Sequence, residues 1–432
     1  MRSNMIWFAF FVVVIDAMGI GLLMPVLPDI LEELTGGTLS QTANIAMWLT
    51  AVYAFMQFLF GPLIGGLSDR FGRRPVLLIS IGALGLDYIL LAIAPTVALL
   101  FVGRIIAGIA GATQSTAFAV AADLSDSKNR AQTMGLVFAG FGLGFILGPA
   151  LGGLLGWLGT EQPAFLGPTL QSFFGQLGNR APMYLAALLS LGNFAFGYFF
   201  FKESLSDKHR RPFSFVRANP IGALWAARSI RGIYMLLAVV FIFSISQVVY
   251  PAVWSFFARA AVGWDVGQVG LSLTLVGIGF VVVQAGLIGP LTKRLGEGKV
   301  ALIGMVFNFL AFLLLAFARE GWIIWAGLPI CAMGVLVSPA ISSLLSKSVD
   351  ETRQGEVQGI SSSLNAIAFF IGPLILTRSF SFFTGDKAPT FWPGAPFFIS
   401  MSLVVICIPL MILALRGMKP FEPEATKPAE TA

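Results

Sequence analysis

Apolar residues run in long stretches along this chain, interrupted by short polar turns. The stretches lie near 5–27, 43–64, 76–94, 97–119, 132–156, 181–201, 231–256, 268–289, 300–317, 321–345, 355–378 and 393–415. Each is close to the roughly twenty residues that carry an α-helix across a bilayer. Hydrocarbon offers no water to a backbone N–H or C=O, so such a run closes its hydrogen bonds within itself, as a helix. The pattern predicts an all-α polytopic membrane protein of twelve transmembrane helices. Its sharpest punctuation is Gly65-Gly66-Leu67-Ser68-Asp69-Arg70-Phe71-Gly72-Arg73-Arg74-Pro75. Three arginines and an aspartate are costly to place in hydrocarbon. The turn therefore lies in water, and the runs on both sides of it cross the membrane.

The remaining charges set direction. Lys and Arg concentrate on the cytoplasmic side of membrane proteins. With the 65–75 turn on that side, 21 of the 27 Lys and Arg residues fall in cytoplasmic segments. Arg180, Arg259, Arg319, Arg378 and Lys387 stand opposite, and Arg104 stays inside a span. Twelve spans then place both termini in the cytoplasm, in an integral protein of the inner or plasma membrane. Only 11% of residues are charged, against about 25% in a soluble domain. The net charge of +6 is spread over loops and gathers on no soluble face, which argues against nucleic acid as a partner. Cys331 and Cys407 lie far apart within apolar runs, and His209, the single histidine, sits in a charged loop. Neither a disulfide framework nor a metal site is indicated. No phosphate-cradling Gly-Lys-Ser/Thr loop is present, nor any assembled nucleophile and base, so neither enzymatic activity nor a cofactor is expected. Met1-Arg2 leads straight into a full-length span without a small-residue cleavage signal, which predicts a retained first helix.

One offset relates the two halves. Shifting the sequence by 224 lays Gly65-Gly66-Leu67-Ser68-Asp69-Arg70-Phe71-Gly72 over Gly289-Pro290-Leu291-Thr292-Lys293-Arg294-Leu295-Gly296, and Gly148-Pro149 over Gly372-Pro373. The same shift lays Leu90-Leu91-Ala92 over Leu314-Leu315-Ala316 and Asp126 over Asp350. A duplicated unit predicts two pseudo-symmetric six-helix bundles, 1–201 and 231–416, related by an axis along the membrane normal. The linker 202–230 joins them, and 417–432 forms a cytoplasmic tail. Lys293 stands where the first half has Asp69, and Ala311 where it has Asp87. The second half is accordingly expected to lack both a matching latch and a matching intramembrane acid.

The 65–74 loop resembles the signature of the major facilitator superfamily. Gly103-Arg104-Ile105-Ile106-Ala107-Gly108 and Gly144-Phe145-Ile146-Leu147-Gly148-Pro149-Ala150-Leu151-Gly152-Gly153 resemble the fourth- and fifth-span signatures of its twelve-span drug:proton antiporters. Met56-Gln57-Phe58, Asp87-Tyr88, Gly263-Trp264-Asp265, Leu315-Ala316-Phe317-Ala318-Arg319-Glu320-Gly321-Trp322 and Val349-Asp350-Glu351-Thr352-Arg353-Gln354-Gly355 resemble the tetracycline efflux pumps along nearly the whole chain. Those pumps typically carry a histidine in the eighth span and an aspartate in the ninth. Here the matching positions are Phe280 and Asn308, which concentrates membrane-buried protonation chemistry on the first half.

Candidate chemistry lies where the membrane penalises it. Asp16, midway along the first span, and Asp87, about twelve residues into the third, must face the bundle interior or water. Arg104 in the fourth span does not lose its proton in practice and is expected to pair with one of them. Switching proton and substrate between these groups competes with a static reading, an interhelical hydrogen bond or a fixed ion pair. The resemblance implies that Asp69 and Arg70 latch the second span to the start of the eleventh, with Arg73, Asp123 and Arg130 in the same charge network. Gly144, Gly148 and Gly152 allow close helix approach, and Pro149 removes a backbone donor; their antiporter role is implied by the resemblance alone. Gln57, Gln247, Asn308 and Asn365 are uncharged polar groups that either contact substrate or bind neighbouring helices, with Phe241, Phe243, Tyr250 and Trp254 as candidate apolar walls. The expected activity is proton-coupled antiport, without a cofactor and by a monomer, exporting a small amphipathic drug-like compound across the lipid bilayer. A proton-coupled symporter importing a metabolite, and a non-transporting receptor or scaffold, remain the alternatives.

Overall fold

The computed structural model describes residues 2–111, 113–125, 130–205, 210, 233–349 and 353–417. Among them every regular element is a helix. Eleven helical stretches are long and apolar enough to cross a membrane, and the shorter Val97–Ala110, prolonged by Thr113–Leu124, supplies the twelfth. In the first half the helices are α1 (Arg2–Thr35), α2 (Leu39–Phe71), α3 (Arg73–Ile93), α4 (Val97–Ala110), α5 (Thr113–Leu124), α6 (Arg130–Glu161), α7 (Gly167–Leu177) and α8 (Ala181–Phe200). The second half comprises α9 (Tyr234–Gln247), α10 (Val249–Val262), α11 (Val266–Val282), α12 (Ile288–Leu295), α13 (Glu297–Ala316), α14 (Gly321–Met333), α15 (Val337–Lys347), α16 (Gln354–Thr384) and α17 (Ala395–Gly417). The expected linker 202–230 and tail 417–432 lie almost wholly outside the described residues. The spans keep several internal prolines, including Pro149 in α6 and Pro373 in α16, which neighbouring helices tolerate inside a membrane.

The 224-residue offset survives as geometry. Gly72, between α2 and α3, has φ 104°, and Gly296, its counterpart before α13, has φ 79°. Both halves therefore turn through a conformation that side chains with a Cβ rarely adopt. The fourth span breaks after Ala110, and the tenth passes through a short 3-10 turn at Gly334–Leu336, beginning at the position matched to Ala110. A side-chain amide braces each break. Gln57 Nε2 donates to the Gly111 carbonyl oxygen at 3.0 Å, and Asn308 Nδ2 donates to the Gly334 carbonyl oxygen at 3.0 Å.

The halves meet mainly through α2 against α16 and α6 against α11. We call the face carrying the 65–75 turn the charged face. Toward the opposite face these helices touch: Gly153 and Gly270 pack backbone to backbone, and Ser40 Oγ donates to the Ser381 carbonyl oxygen at 2.7 Å. Toward the charged face the same spans part. Gly61 and Gly65 on α2, Gly135 on α6, Gly286 and Gly289 on the eighth span, and Gly359 on α16 have no atom within 4 Å of where a Cβ would stand. Among the described residues the spans are closed together on the opposite face and parted on the charged one.

Candidate functional site

Asp16 is placed by the glycines of α6. Gly144, Gly148 and Gly152 recur every fourth residue and lie flush on α1. A methyl at Gly144 would meet the Val14 carbonyl oxygen and stand 2.8 Å from Ala17 Cβ; one at Gly148 would stand 2.5 Å from the Met18 carbonyl oxygen. These contacts bracket Asp16 on both sides along α1. Pro149 reaches the same helix, its Cδ lying 2.5 Å from where a Cβ on Gly21 would be. Asp16 itself is half-buried and makes no hydrogen bond among the described residues. One turn further, Gly19 leaves room for the Tyr88 hydroxyl, so Tyr88 and Asp16 are neighbours.

Asp87 is fully buried and bridges Arg104, which resolves the expected choice of partner. Gly103 makes the approach possible, because a Cβ there would strike Asp87 Oδ1. The Arg104 guanidinium also lies over the Tyr53 ring, 5.6 Å from its centroid. Cation–π support of this kind adds about 0.5–2 kcal/mol. Two atoms of the pair, Asp87 Oδ1 and Arg104 Nε, are buried with no hydrogen-bond partner. Such groups cost free energy until something satisfies them. The result is a buried ion pair with spare capacity on each member, close to a second carboxylate. Only its position one turn before Gln57 on α2 marks Tyr53 in the sequence.

The charge network on the charged face centres on Arg73 more than on Asp69 and Arg70. Arg73 bridges Asp69 at 2.5 Å and Asp123 at 3.0 Å, and donates to Ser68 Oγ at 2.6 Å. Arg70 lies over the Phe71 ring, 5.0 Å away. Arg130 opens α6, but its side chain lies outside the described residues, as does part of the start of the eleventh span. The implied latch between the second and eleventh spans therefore falls partly beyond them. Glu203, just past the sixth span, carries no distinguishing mark in the sequence. Its carboxylate accepts from the backbone N–H of Arg73 at 2.8 Å and of Arg74 at 3.1 Å, and occupies the space a Cβ on Gly72 would need. It caps the positive end of α3, as an anion at a helix N-terminus does.

The second half repeats one pair of this network. Glu297 bridges Lys347, and these are the positions matched to Arg73 and Asp123 by the 224 offset. The repeat thus preserves the Arg73–Asp123 pair with both charges inverted, while Lys293 still stands where the first half has Asp69. The preserved pair begins one turn beyond Lys293.

Of the uncharged candidates, Gln57 is tied to the fourth-span break and Asn308 is consumed by helix contacts. Asn308 is buried, spends Nδ2 on the Gly304 and Gly334 carbonyl oxygens and accepts from Gln247 Nε2 at 3.0 Å. That leaves Asn308 as a bracket between helices, the alternative the sequence allowed. Asn365 is exposed and accepts from Ser244 Oγ at 2.5 Å. Phe243 and Trp254 are core residues, Phe241 and Tyr250 are half-buried, and the Tyr250 ring lies against Trp254, Phe312 and Phe397.

A family model described as the Major Facilitator Superfamily matches residues 9–373 and again 235–432. The tetracycline resistance protein, class C, of Escherichia coli is 37% identical over 399 residues, 92% of this chain and 94% of its own. The class G protein of Vibrio anguillarum is 36% identical over 411 residues, 95% of this chain and 98% of its own. Among solved structures, the inward-facing, unoccupied form of a bacterial homolog to the human lysosomal transporter Spinster aligns with a TM-score of 0.73 at 15% identity. That alignment covers 98% of this chain and 99% of the other.

Proposed function

The chain belongs to the major facilitator superfamily, and from that premise we propose that it is a proton-coupled antiporter exporting a small amphipathic drug-like compound. The observation that carries this reading is the buried Asp87–Arg104 pair with Asp16 nearby, inside a bundle open on one face and shut on the other. The likeness to tetracycline resistance proteins supports a tetracycline-like or multidrug substrate. The Lys/Arg bias supports a cytoplasmic charged face, with both termini on that side of the inner or plasma membrane. The open state is then inward-facing.

In this cycle, substrate enters from the cytoplasm and meets the spare atoms of Asp87 and Arg104. Its arrival expels a proton held on Asp16 or Asp87. The halves then rock about the central cavity, and on the outer side a proton displaces the substrate. Arg104 stays bridged to Asp87 until proton or substrate competes for it. Each pH unit across the membrane contributes about 1.4 kcal/mol per proton. A net charge moved adds about 2.3 kcal/mol per 100 mV. The cavity lies within one chain, so a monomer and the proton gradient suffice, without a cofactor.

The test is proton release from purified protein in detergent on adding tetracyclines or other amphipathic drugs. Wild type should release protons, and Asp16→Asn or Asp87→Asn should abolish the release. Tight drug binding with no proton release, unchanged in both variants, would remove the competition mechanism. Vesicle assays of transport direction separate export from the symport alternative.

A further inference from the structure

The opposite face holds a charge cluster with no counterpart under the repeat. Helix α1 ends at Thr35 with Asp29, Glu32 and Glu33 near its terminus. Carboxylates there oppose the negative end of the helix dipole and are disfavoured unless a cation answers them. Two arginines do so. Arg180, from the same half, bridges Glu33 at 3.1 Å. Arg259, from α10 in the other half, bridges Asp29 at 2.7 Å and stands 3.7 Å from Glu32. The spacing of three residues sets Asp29 and Glu32 on one side of α1, and the planar guanidinium fork can serve both. Arg259 and Asp29 side chains are 23% and 14% exposed, which limits screening by salt.

Neutral contacts flank the cluster. Ser255, one turn before Arg259, donates to the Met24 carbonyl oxygen at 2.6 Å. Ser40 and Ser381 exchange hydroxyl-to-carbonyl bonds between α2 and α16. The closed arrangement is nonetheless incomplete. Asp29 Oδ2 and Arg259 Nη1 are buried without a hydrogen bond, a burden on the closed state that is relieved when water reaches them.

We propose that Arg259, Asp29 and Glu32 are gate residues for transport, holding the two halves together on the opposite face and setting how often that face opens. This rests on the alternating-access reading above. The ends of the bridge belong to different halves, so opening this face cannot leave it intact. The three act by positioning the halves and touch neither Asp87 nor Arg104.

The test reads distance, with or without drug. Spin labels go on Thr169→Cys and Lys387→Cys, both exposed and in opposite halves, with the buried Cys331 and Cys407 replaced by alanine. Pulsed electron resonance on the full chain should give one short distance population for wild type at the gate. Arg259→Gln and Asp29→Asn should each raise the opened population about tenfold, a shift of about 1.4 kcal/mol. Arg259→Lys, which keeps the charge without the fork, should fall between, and the double variant should open no further than the more open single one. Should a variant fail to fold, Arg259→Lys and Glu32→Gln carry the same comparison. Distances identical to wild type in every variant, or single effects that add in full, would overturn the gate. Drug export by the same proteins is scored separately. A wild type that exports nothing, with distances that still respond, removes the antiporter reading and keeps the gate.

Discussion

At the scale of single residues, two glycines do what no larger side chain could. Gly103 leaves the space that Asp87 Oδ1 occupies beside Arg104, and Gly72 combines a positive φ with the close approach of Glu203. Overpacking a tight contact costs about 1–3 kcal/mol. Gly103→Ala should therefore push Asp87 off its partner and lower vesicle transport about tenfold or more, since about 1.4 kcal/mol is a factor of ten. Gly192→Ala on α8 points into open space and should stay within about twofold by the same scale. Equal losses in both would mean that Gly103 matters only as a membrane-packing residue. The chemistry at these positions was partly legible. Asp16, Asp87 and Arg104 stand out because charge in an apolar run is conspicuous. Tyr53 and Glu203 do not, because a tyrosine in an apolar run and an acid in a loop are both ordinary.

At the scale of elements, the inverted pairs differ in how they sit on their helices. Arg73 lies at the start of α3 and Asp123 in the last turn of α5, each at the end of the helix whose dipole disfavours it. Glu297 begins α13 and Lys347 ends α15, each at the favoured end. Such dipole contacts are worth about 0.3–1 kcal/mol per group. The first pair leans on Glu203, Asp69 and one another; the second is stable on its own terms. Arg73→Gln and Asp123→Asn should accordingly change transport strongly, whereas Glu297→Gln should lower the melting temperature modestly and leave transport within about twofold, the scale of one such contact. Melting curves and vesicle transport on the same three variants decide it. Loss of transport in Glu297→Gln with an unchanged melting temperature would show that the second half carries an equal share of the switching. The 224 offset made the repeat visible in sequence, yet the inversion stayed hidden until Glu297 and Lys347 were seen to touch across fifty residues.

At the scale of the whole molecule, the state of the transporter is written in which glycines have neighbours. Gly153 on α6 and Gly270 on α11 meet across the halves, while Gly65 on α2 and Gly359 on α16 face open space. A cysteine at Gly359 should react with a membrane-impermeant maleimide in inside-out vesicles and resist it in right-side-out ones. Driving the cycle with drug and external acid should slow that reaction. Labelling only in right-side-out vesicles would reverse the orientation drawn from the Lys/Arg bias.

The sequence by itself determined the helices, their number, the duplicated plan and the short list of intramembrane charges. Each follows from a local rule: hydrocarbon demands internally bonded backbone and penalises charge wherever it occurs along the chain. Only the tertiary structure decided that Arg104 pairs with Asp87, that Asn308 is spent on its neighbours, that Arg73 has an inverted twin, and that Arg259 of one half reaches Asp29 of the other. Those outcomes depend on side chains far apart in sequence meeting at distances of a few ångströms. Coulomb energy and hydrogen bonding vary over that range, whereas hydrophobic pattern along a helix does not.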